Sequence, residues 1–297
     1  MHRRVFVLTL SLLLASACQP ATPTAPQTGL RVLTTTTVLA DLVQNVAGDG
    51  ATVESLLPTG ADPHAYEPSP ADVAKISEST LLIINGADYE HNLLPIIDNA
   101  DGERQVVTAS SGLEAASNGE AINPHFWVNP RFTITYVENV RDGLIQADPA
   151  NAGMYAANAG AYIAQLNDLD AWAEGQIAAL PKARRLLITN HDALSYFADR
   201  YGLEVVGLII RSNSDEAGAT AQQLASIIET IRSTGAPAIF LDEVENQTLA
   251  RQIAAETGAK VVHDLYFESL SAADGPAPTY LEMIRHDVTR MVEALNP

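Results

Sequence analysis

RRLLITNHDALSYFADRYGLEVVGLII (184–210) is the segment that shows the fold most clearly. A β-rich run at 185–189 is followed by a helical pattern at about 193–201 and a second β-rich run at 205–210. Strand, helix and strand in this order, joined by short turns, are typical of a parallel sheet flanked by helices. His191 lies between the first strand and the helix. Open parallel sheets place ligand-binding residues at this carboxyl end of a strand.

The same alternation extends through both halves of the chain. Strands are predicted at 30–35, 51–57, 81–86 and 105–108 in the first half, and at 238–241 and 260–263 in the second. Helices are predicted at about 38–47, 70–79, 90–99, 131–147, 216–233, 247–257 and 279–295. The sequence therefore predicts an α/β fold of two lobes, each with a mainly parallel sheet flanked by helices.

One helical stretch at 149–180 is much longer than the others. It follows Asp148, contains no internal proline after its first residue, and would span about 45 Å over its roughly 30 residues. Because that length exceeds the diameter of a small domain, we expect a rigid helix that joins the two lobes, with packing on one lobe alone as the alternative. The predicted lobes are residues 30–148 and 181–297.

The N-terminus MHRRVFVLTLSLLLASA (1–17) has the pattern of a bacterial export signal. Two arginines precede an apolar stretch that is too short to span a bilayer as a mature helix. Its LLASAC ending resembles a lipobox, which predicts that Cys18 becomes the lipidated first residue of the mature protein. An ordinary signal peptide that happens to end near a cysteine is the alternative. Residues 18–29, rich in Pro, Thr and Ala, then form a flexible tether.

Composition excludes some partners. The formal net charge is −19, and a surface of this sign repels nucleic acid and anionic lipid while attracting cations. Acidic surfaces also keep exported proteins soluble, so the charge permits a cation ligand without identifying one. Cys18 is the one cysteine of the chain, and its lipidation leaves no thiol for a disulfide. We expect a monomer that does not bind nucleic acid.

Four residues distant in sequence form a candidate metal-binding set. They are His64 in ADPHAYEPSP, His125 in INPHFWVNP, His191 in LLITNHDAL and Glu268 in HDLYFESL. Imidazole and carboxylate are ligands that Zn²⁺ prefers, and four of them close its tetrahedral shell. Both Pro63 and Pro124 directly precede a histidine of the set, and proline stiffens the chain at that point. We therefore predict one divalent-metal site that the fold assembles from four loops.

The fourth ligand has competitors. Asp242, Glu243 and Glu245 cluster after the predicted strand in APAIFLDEVEN, and Glu67 lies three residues after His64. His263 ends a predicted strand close to Glu268, and we assign it a surface or supporting role. Glu268 follows a predicted strand by a short loop, as ligands of open parallel sheets do, and these carboxylates remain its competitors.

Several segments together resemble a known family. GADPHAYEPSPADVAKI, INPHFWVNP, LLITNHDALSYFADRYGL, LARQIAAETGAKVV and TYLEMIRHDV are similar to the signature segments of the cluster A-I solute-binding lipoproteins of ABC transporters. These transporters import zinc, manganese or iron(II). The resemblance covers nearly the whole chain from about residue 30. It implies two lobes joined by a long rigid helix, one metal ion buried between them, and delivery of that metal to a membrane permease.

The resemblance also implies the ligands. His64 and His125 match the first two, and His191 matches the third, where manganese and iron members usually carry Glu and zinc members His. Glu268 falls where Asp is commoner, and a set of three histidines and one glutamate resembles a zinc-binding subgroup. Many zinc members carry a histidine-rich loop that is absent from residues 108–123 here, which keeps Mn²⁺ as the alternative. We predict that Zn²⁺ binds more tightly than Mn²⁺.

These observations predict an exported solute-binding protein rather than an enzyme. It would be anchored through Cys18 in the periplasm or at the outer face of the cytoplasmic membrane and would deliver its metal to an ABC permease. A zinc hydrolase is a competing hypothesis, but it would keep one coordination position open for water. HExxH, GxSxG, HxHxD, P-loop and GxGxxG motifs are absent from the sequence. An adhesin with a structural metal is a further alternative.

Overall fold

Two parallel sheets, each of four strands, form the framework of the protein. The computed structural model describes residues 29–115, 122–210 and 220–296. The predicted signal peptide (1–17), the predicted lipidation site Cys18 and all but the last residue of the predicted tether lie outside the described residues. Within those residues, no helix has both the length and the apolar character needed to cross a membrane.

The first sheet is built from the first four strands of the chain. The elements of this half are β1 (Leu30–Thr34), α1 (Thr37–Ala47), β2 (Ala51–Ser55), α2 (Pro70–Glu78), β3 (Leu81–Ile84), α3 (Leu94–Asn99), β4 (Gln105–Thr108) and α4 (Pro130–Ala147). The strand order is β2-β1-β3-β4, and every pairing is parallel. The continuous apolar run of β3 is buried, as expected for a strand covered on both faces.

The second half repeats this arrangement. Its elements are α5 (Ala152–Ala178), β5 (Leu186–Thr189), α6 (Ser195–Tyr201), β6 (Glu204–Leu208), α7 (Ala221–Thr234), β7 (Ala238–Asp242), α8 (Thr248–Thr257), β8 (Lys260–Leu265) and α9 (Tyr280–Leu295). The strand order is β6-β5-β7-β8, again parallel throughout. The predicted fold class, two parallel sheets flanked by helices, is thus confirmed.

Both sheets have the strand order that creates a binding crevice. In the first, β1 lies between β2 and β3, so the connections that leave neighbouring strands run in opposite directions. In the second, β5 lies between β6 and β7 in the same way. Ligands bind beyond the carboxyl ends of strands at such points. The loops after these strands are therefore expected to carry the ligand-binding residues.

The long helix α5 contacts elements of both halves. The Asn158 amide donates to the backbone oxygen of Val46 in α1 at 3.1 Å, and Asp170 pairs with Arg200 of α6 at 2.7 Å. One cluster of buried apolar residues also extends through α1, α4, α5, α6 and α9. Separate clusters cover the remaining face of each sheet. The helix is therefore packed between the halves rather than on one of them.

Helix α3 is shorter than the predicted helix at 90–99 and begins at Leu94. The residues before it form turns, and two of them, Ala87 and Asp88, have positive φ angles of 52° and 65°. The Glu90 carboxylate accepts hydrogen bonds from two backbone amides at the end of β3, at 2.6 and 2.9 Å. Positive φ angles at residues other than glycine are unfavourable, and these hydrogen bonds stabilise the turn that contains them. The predicted start of this helix was wrong for that reason.

Candidate metal centre

The structure brings the four predicted residues together at one point. One ligand atom from each of His64, His125, His191 and Glu268 lies within 4.8 Å of the others. Glu268 Oε1 lies 3.7, 3.2 and 3.0 Å from the Nε2 atoms of the three histidines, in chain order. The Nε2 atoms of His125 and His191 are 3.3 Å apart. A tetrahedron around Zn²⁺, with bonds of about 2.0–2.1 Å, has edges of about 3.3 Å.

The fold supplies these side chains from both halves. His64 lies in the loop that follows β2, and His125 lies shortly before α4. His191 comes two residues after the end of β5, and Glu268 follows β8 by a short loop. His64 and His125 belong to the first half, whereas His191 and Glu268 belong to the second. The cluster therefore lies between the two sheets, at the strand ends where the topology predicts a crevice.

The two Pro-His motifs form the same kind of turn. The backbone N–H of His64 donates to the Asp62 carboxylate at 2.9 Å, and that of His125 donates to the Asn123 side-chain oxygen at 3.0 Å. Asp and Asn side chains commonly close such turns by accepting from the backbone two residues ahead. The proline between them fixes φ, so each histidine leaves its turn in a defined direction.

His125 is held as a neutral ligand. Its Nδ1 lies 2.9 Å from Asn123 Oδ1, which can only accept, so Nδ1 carries the proton and the Nε2 lone pair faces the cluster. Burial lowers the pKa of His125 below its ordinary value, although the nearby Glu268 opposes this effect. A metal ion would therefore meet an imidazole whose tautomer is already correct for binding.

His191 is held differently because carboxylates contact both of its nitrogens. Nδ1 lies 2.8 Å from Glu245 Oε1, and Nε2 lies 3.0 Å from Glu268 Oε1. Burial alone would lower the pKa of His191, but the hydrogen bonds to Glu245 and Glu268 outweigh it and raise the pKa to about 10. Without metal, His191 is therefore protonated at neutral pH. A metal ion must displace the proton from Nε2, while Glu245 keeps the proton on Nδ1.

Glu268 is ionised although it is buried. Burial alone would raise its pKa, but the hydrogen bond from the protonated His191 to Oε1 helps to hold the pKa well below the ordinary value. Its backbone N–H donates to Asp242 at 2.8 Å, which fixes the start of the side chain. Tyr89 donates its hydroxyl to Oε2 at 3.3 Å. Burial raises the pKa of Tyr89 well above its ordinary value, so this hydroxyl remains a donor.

The competing carboxylates lie outside the group of four. Asp242 and Glu245 instead hold the second-half ligands in place, and Glu245 also accepts from the backbone of Asp242 at 2.7 Å. Glu67, Glu243 and His263 are exposed. The geometry therefore favours Glu268 as the carboxylate that faces the histidines.

Two buried aromatic side chains, Tyr89 and Trp127, pack beside the cluster. The Tyr89 ring packs edge-on against His64 and Trp127, with centroids 5.7 and 5.0 Å away, and Trp127 donates to the backbone oxygen of Phe267 in the other half at 2.7 Å. Neither Tyr89 nor Asn123 was predicted as a site residue. The turn-forming Asn-Pro-His motif could have indicated Asn123, whereas no local pattern marks Tyr89.

Comparison with known proteins gives a consistent result. Residues 32–294 match the ZnuA family, described as zinc-uptake complex component A, periplasmic. The iron-binding protein YfeA of Yersinia pestis is 35% identical over 283 residues, which cover 94% of this chain and 90% of YfeA. The manganese ABC transporter substrate-binding lipoprotein PsaA of Streptococcus pneumoniae is 28% identical over 278 residues, covering 90% of this chain and 89% of PsaA.

A solved structure shares the architecture. The periplasmic zinc binding protein TroA from Treponema pallidum superposes with a TM-score of 0.84 at 26% identity, covering 91% of this chain and 100% of TroA. The family resemblance inferred from the sequence motifs is thus confirmed. With a match that extends over nearly all of the described residues, the chain belongs to the ZnuA family.

Proposed function

We propose that this chain captures one divalent metal ion outside the cytoplasm and delivers it to the permease of an ABC transporter. One observation carries the proposal: three imidazole nitrogens and one carboxylate oxygen, drawn from both halves, lie within 4.8 Å of one another. The family match and the transport roles in the names of relatives support it. The metal is the cargo of this protein, and His64, His125, His191 and Glu268 are its proposed ligands.

The arrangement of supporting residues suggests how capture works. Asn123 holds His125 within the first half, while Glu245 and Asp242 hold His191 and Glu268 within the second. Each half thus orients its own ligands, so little ordering remains when the metal arrives. We propose that residues 30–148 and 181–297 act as metal-binding lobes on the 149–180 helix, and that the ion joins them.

We propose zinc as the preferred metal. Three imidazoles and one carboxylate suit a four-coordinate ion, and Zn²⁺ lies above Mn²⁺ and Fe²⁺ in the usual order of affinity. Manganese and iron(II) are the alternatives because one relative is named as a manganese transporter component and another as an iron-binding protein. In a competition titration of the metal-free protein, Zn²⁺ should displace bound Mn²⁺ at stoichiometric amounts. Displacement of bound Zn²⁺ by stoichiometric Mn²⁺ would refute this choice.

Metal binding should release a proton at neutral pH. Without metal, the pKa of His191 is about 10 rather than the ordinary 6.5. At neutral pH the imidazole therefore carries an extra proton, which it must lose to bind metal. Affinity should therefore rise about tenfold per pH unit from neutral pH towards pH 10. Calorimetry at pH 7.5 in buffers of different ionisation enthalpy should give about one proton per ion. A value near zero would show that His191 is neutral before metal arrives.

The remaining proposals concern location and class. We propose an exported monomer, anchored through a lipid on Cys18, with an ABC permease as partner and no nucleic-acid ligand. A carrier is favoured over a zinc hydrolase because four protein ligands leave no open position for a reactive water. The hydrolase would be supported instead if the zinc-loaded protein hydrolysed esters and the His64→Ala variant did not. For the adhesin alternative, no described surface identifies a host partner.

A further inference from the structure

The two carboxylate oxygens of Glu268 have different surroundings. Oε1 faces the three histidine Nε2 atoms at 3.0 to 3.7 Å, whereas Oε2 accepts the hydroxyl of Tyr89 at 3.3 Å. A carboxylate can bind a metal through one oxygen or through both. Here the second oxygen is already engaged by a neutral donor. The side chain therefore presents Oε1 to the centre of the cluster while Tyr89 occupies Oε2.

Tyr89 is held firmly in this position. It is 8% exposed, and its ring packs edge-on against His64, His125 and Trp127, with centroid distances of 5.7, 6.1 and 5.0 Å. The ring of Tyr89 thus packs against the two histidines and against Trp127. A different position of the hydroxyl would require the ring to leave this packing.

The backbone at Tyr89 is fixed as well. The next residue, Glu90, is 3% exposed, and its carboxylate accepts from Thr35 Oγ1 at 2.8 Å and from the backbone amides of Asn85 and Gly86 at 2.6 and 2.9 Å. These bonds tie the turn that carries Tyr89 to the ends of β1 and β3. A turn with several buried hydrogen bonds resists displacement, since opening it would leave polar groups unpaired. The hydroxyl is thus positioned by the fold before metal binds.

We propose that Tyr89 is a selectivity-determining residue, because its hydroxyl holds Glu268 in the one-oxygen binding mode and so limits the metal to four protein ligands. The inference rests on the proposed metal-capture function. Zn²⁺ is satisfied by four ligands, whereas Mn²⁺ favours more oxygen ligands and would gain from a second carboxylate oxygen. Tyr89 therefore disfavours Mn²⁺ without touching the metal itself.

Tyr89→Phe tests the proposal because it removes the hydroxyl and keeps the ring. Partners of metal ligands typically change affinity by roughly 10–100-fold, so the ratio of Zn²⁺ to Mn²⁺ affinity should fall at least about tenfold in competition titrations. The visible spectrum of bound Co²⁺ should change from the strong bands of four-coordination to the weaker bands of higher coordination. Tyr155→Phe is the matched control, since it removes a hydroxyl that donates to Asp148 at 2.8 Å, away from the cluster.

Three results would overturn the proposal. The first is an unchanged affinity ratio together with an unchanged Co²⁺ spectrum in Tyr89→Phe. The second is an equal loss of affinity for both metals in that variant, which a general positioning role would give. The third comes from X-ray absorption of the zinc-loaded native chain, where we expect one carboxylate oxygen bound to zinc and where two would refute the inference. Failure of the metal-capture function is distinguishable, because the native chain would then bind neither metal at one ion per chain.

Discussion

His125→Ala is expected to reduce zinc affinity by more than the roughly 10–100-fold that follows loss of an outer hydrogen-bond partner of a ligand. The variant removes one of four proposed bonds to the ion. Because His125 is 2% exposed and its Nε2 points at the cluster, solvent water is poorly placed to substitute for it. The measurement is a titration against a chromophoric zinc chelator, with circular dichroism of the metal-free variant as a check on folding.

His263→Ala is the matched control for this variant. His263 lies on β8, five residues before Glu268, and is exposed. The same substitution there removes an imidazole close in sequence to the site without removing a proposed ligand. We expect its zinc affinity to equal that of the native chain. If His125→Ala also bound zinc with native affinity, His125 would not be a ligand and the four-residue site would be wrong.

Zinc should raise the melting temperature of the metal-free protein markedly. Free zinc at one hundred times its Kd stabilises the folded state by about 2.7 kcal/mol, and 1 kcal/mol shifts the melting temperature of a chain this large by about 2–4 °C. The expected shift is therefore at least about 5 °C. Because the ligands come from both halves, the ion should stabilise both halves together. Calorimetry after EDTA treatment, with and without added zinc, measures the shift.

Glu268→Ala is the control for the melting experiment. In Glu268→Ala the zinc-dependent shift should largely disappear, since the remaining histidines lose the carboxylate that balances the charge of the ion. An unchanged melting temperature of the native chain after zinc addition would mean that no tight site exists. A shift in one half alone, seen as two separate transitions, would mean that the ion does not join the halves.

Much of the fold is predictable because it depends on local patterns. Continuous apolar runs such as Leu81–Ile84 identify buried parallel strands, and helix signals such as Ser69 before Pro70 locate helix starts. The predicted start of the helix at residue 70 is confirmed, and the Asp72 carboxylate accepts from the backbone N–H of Ser69 at 2.8 Å. The start of α3 was wrong because a buried carboxylate, Glu90, forms hydrogen bonds that no local pattern indicates. Tertiary contacts overrode helix propensity at that point.

The candidate site was predictable for a different reason. Residues at the carboxyl ends of parallel strands converge at one edge of their sheet, so the strand pattern places His191 and Glu268 near each other. The family resemblance, not the strand pattern, implied that they meet the histidines of the first half. The roles of Glu245 and Tyr89 could not be predicted, because they depend on distances between loops. Glu245 was identified as a competing ligand, but it holds the ring of His191 instead. Sequence gives the type of residue available at an edge, and only the packed loops determine which atom faces which.

Zinc-edge anomalous diffraction from crystals of the zinc-loaded chain tests the central claim most directly. The account predicts one anomalous peak per chain between the two halves. It should lie about 2.0–2.1 Å from the Nε2 atoms of His64, His125 and His191, and at a similar distance from one oxygen of Glu268. A zinc ion bound elsewhere on the chain, or one at this site without His64, His125, His191 or Glu268 among its ligands, would contradict the account.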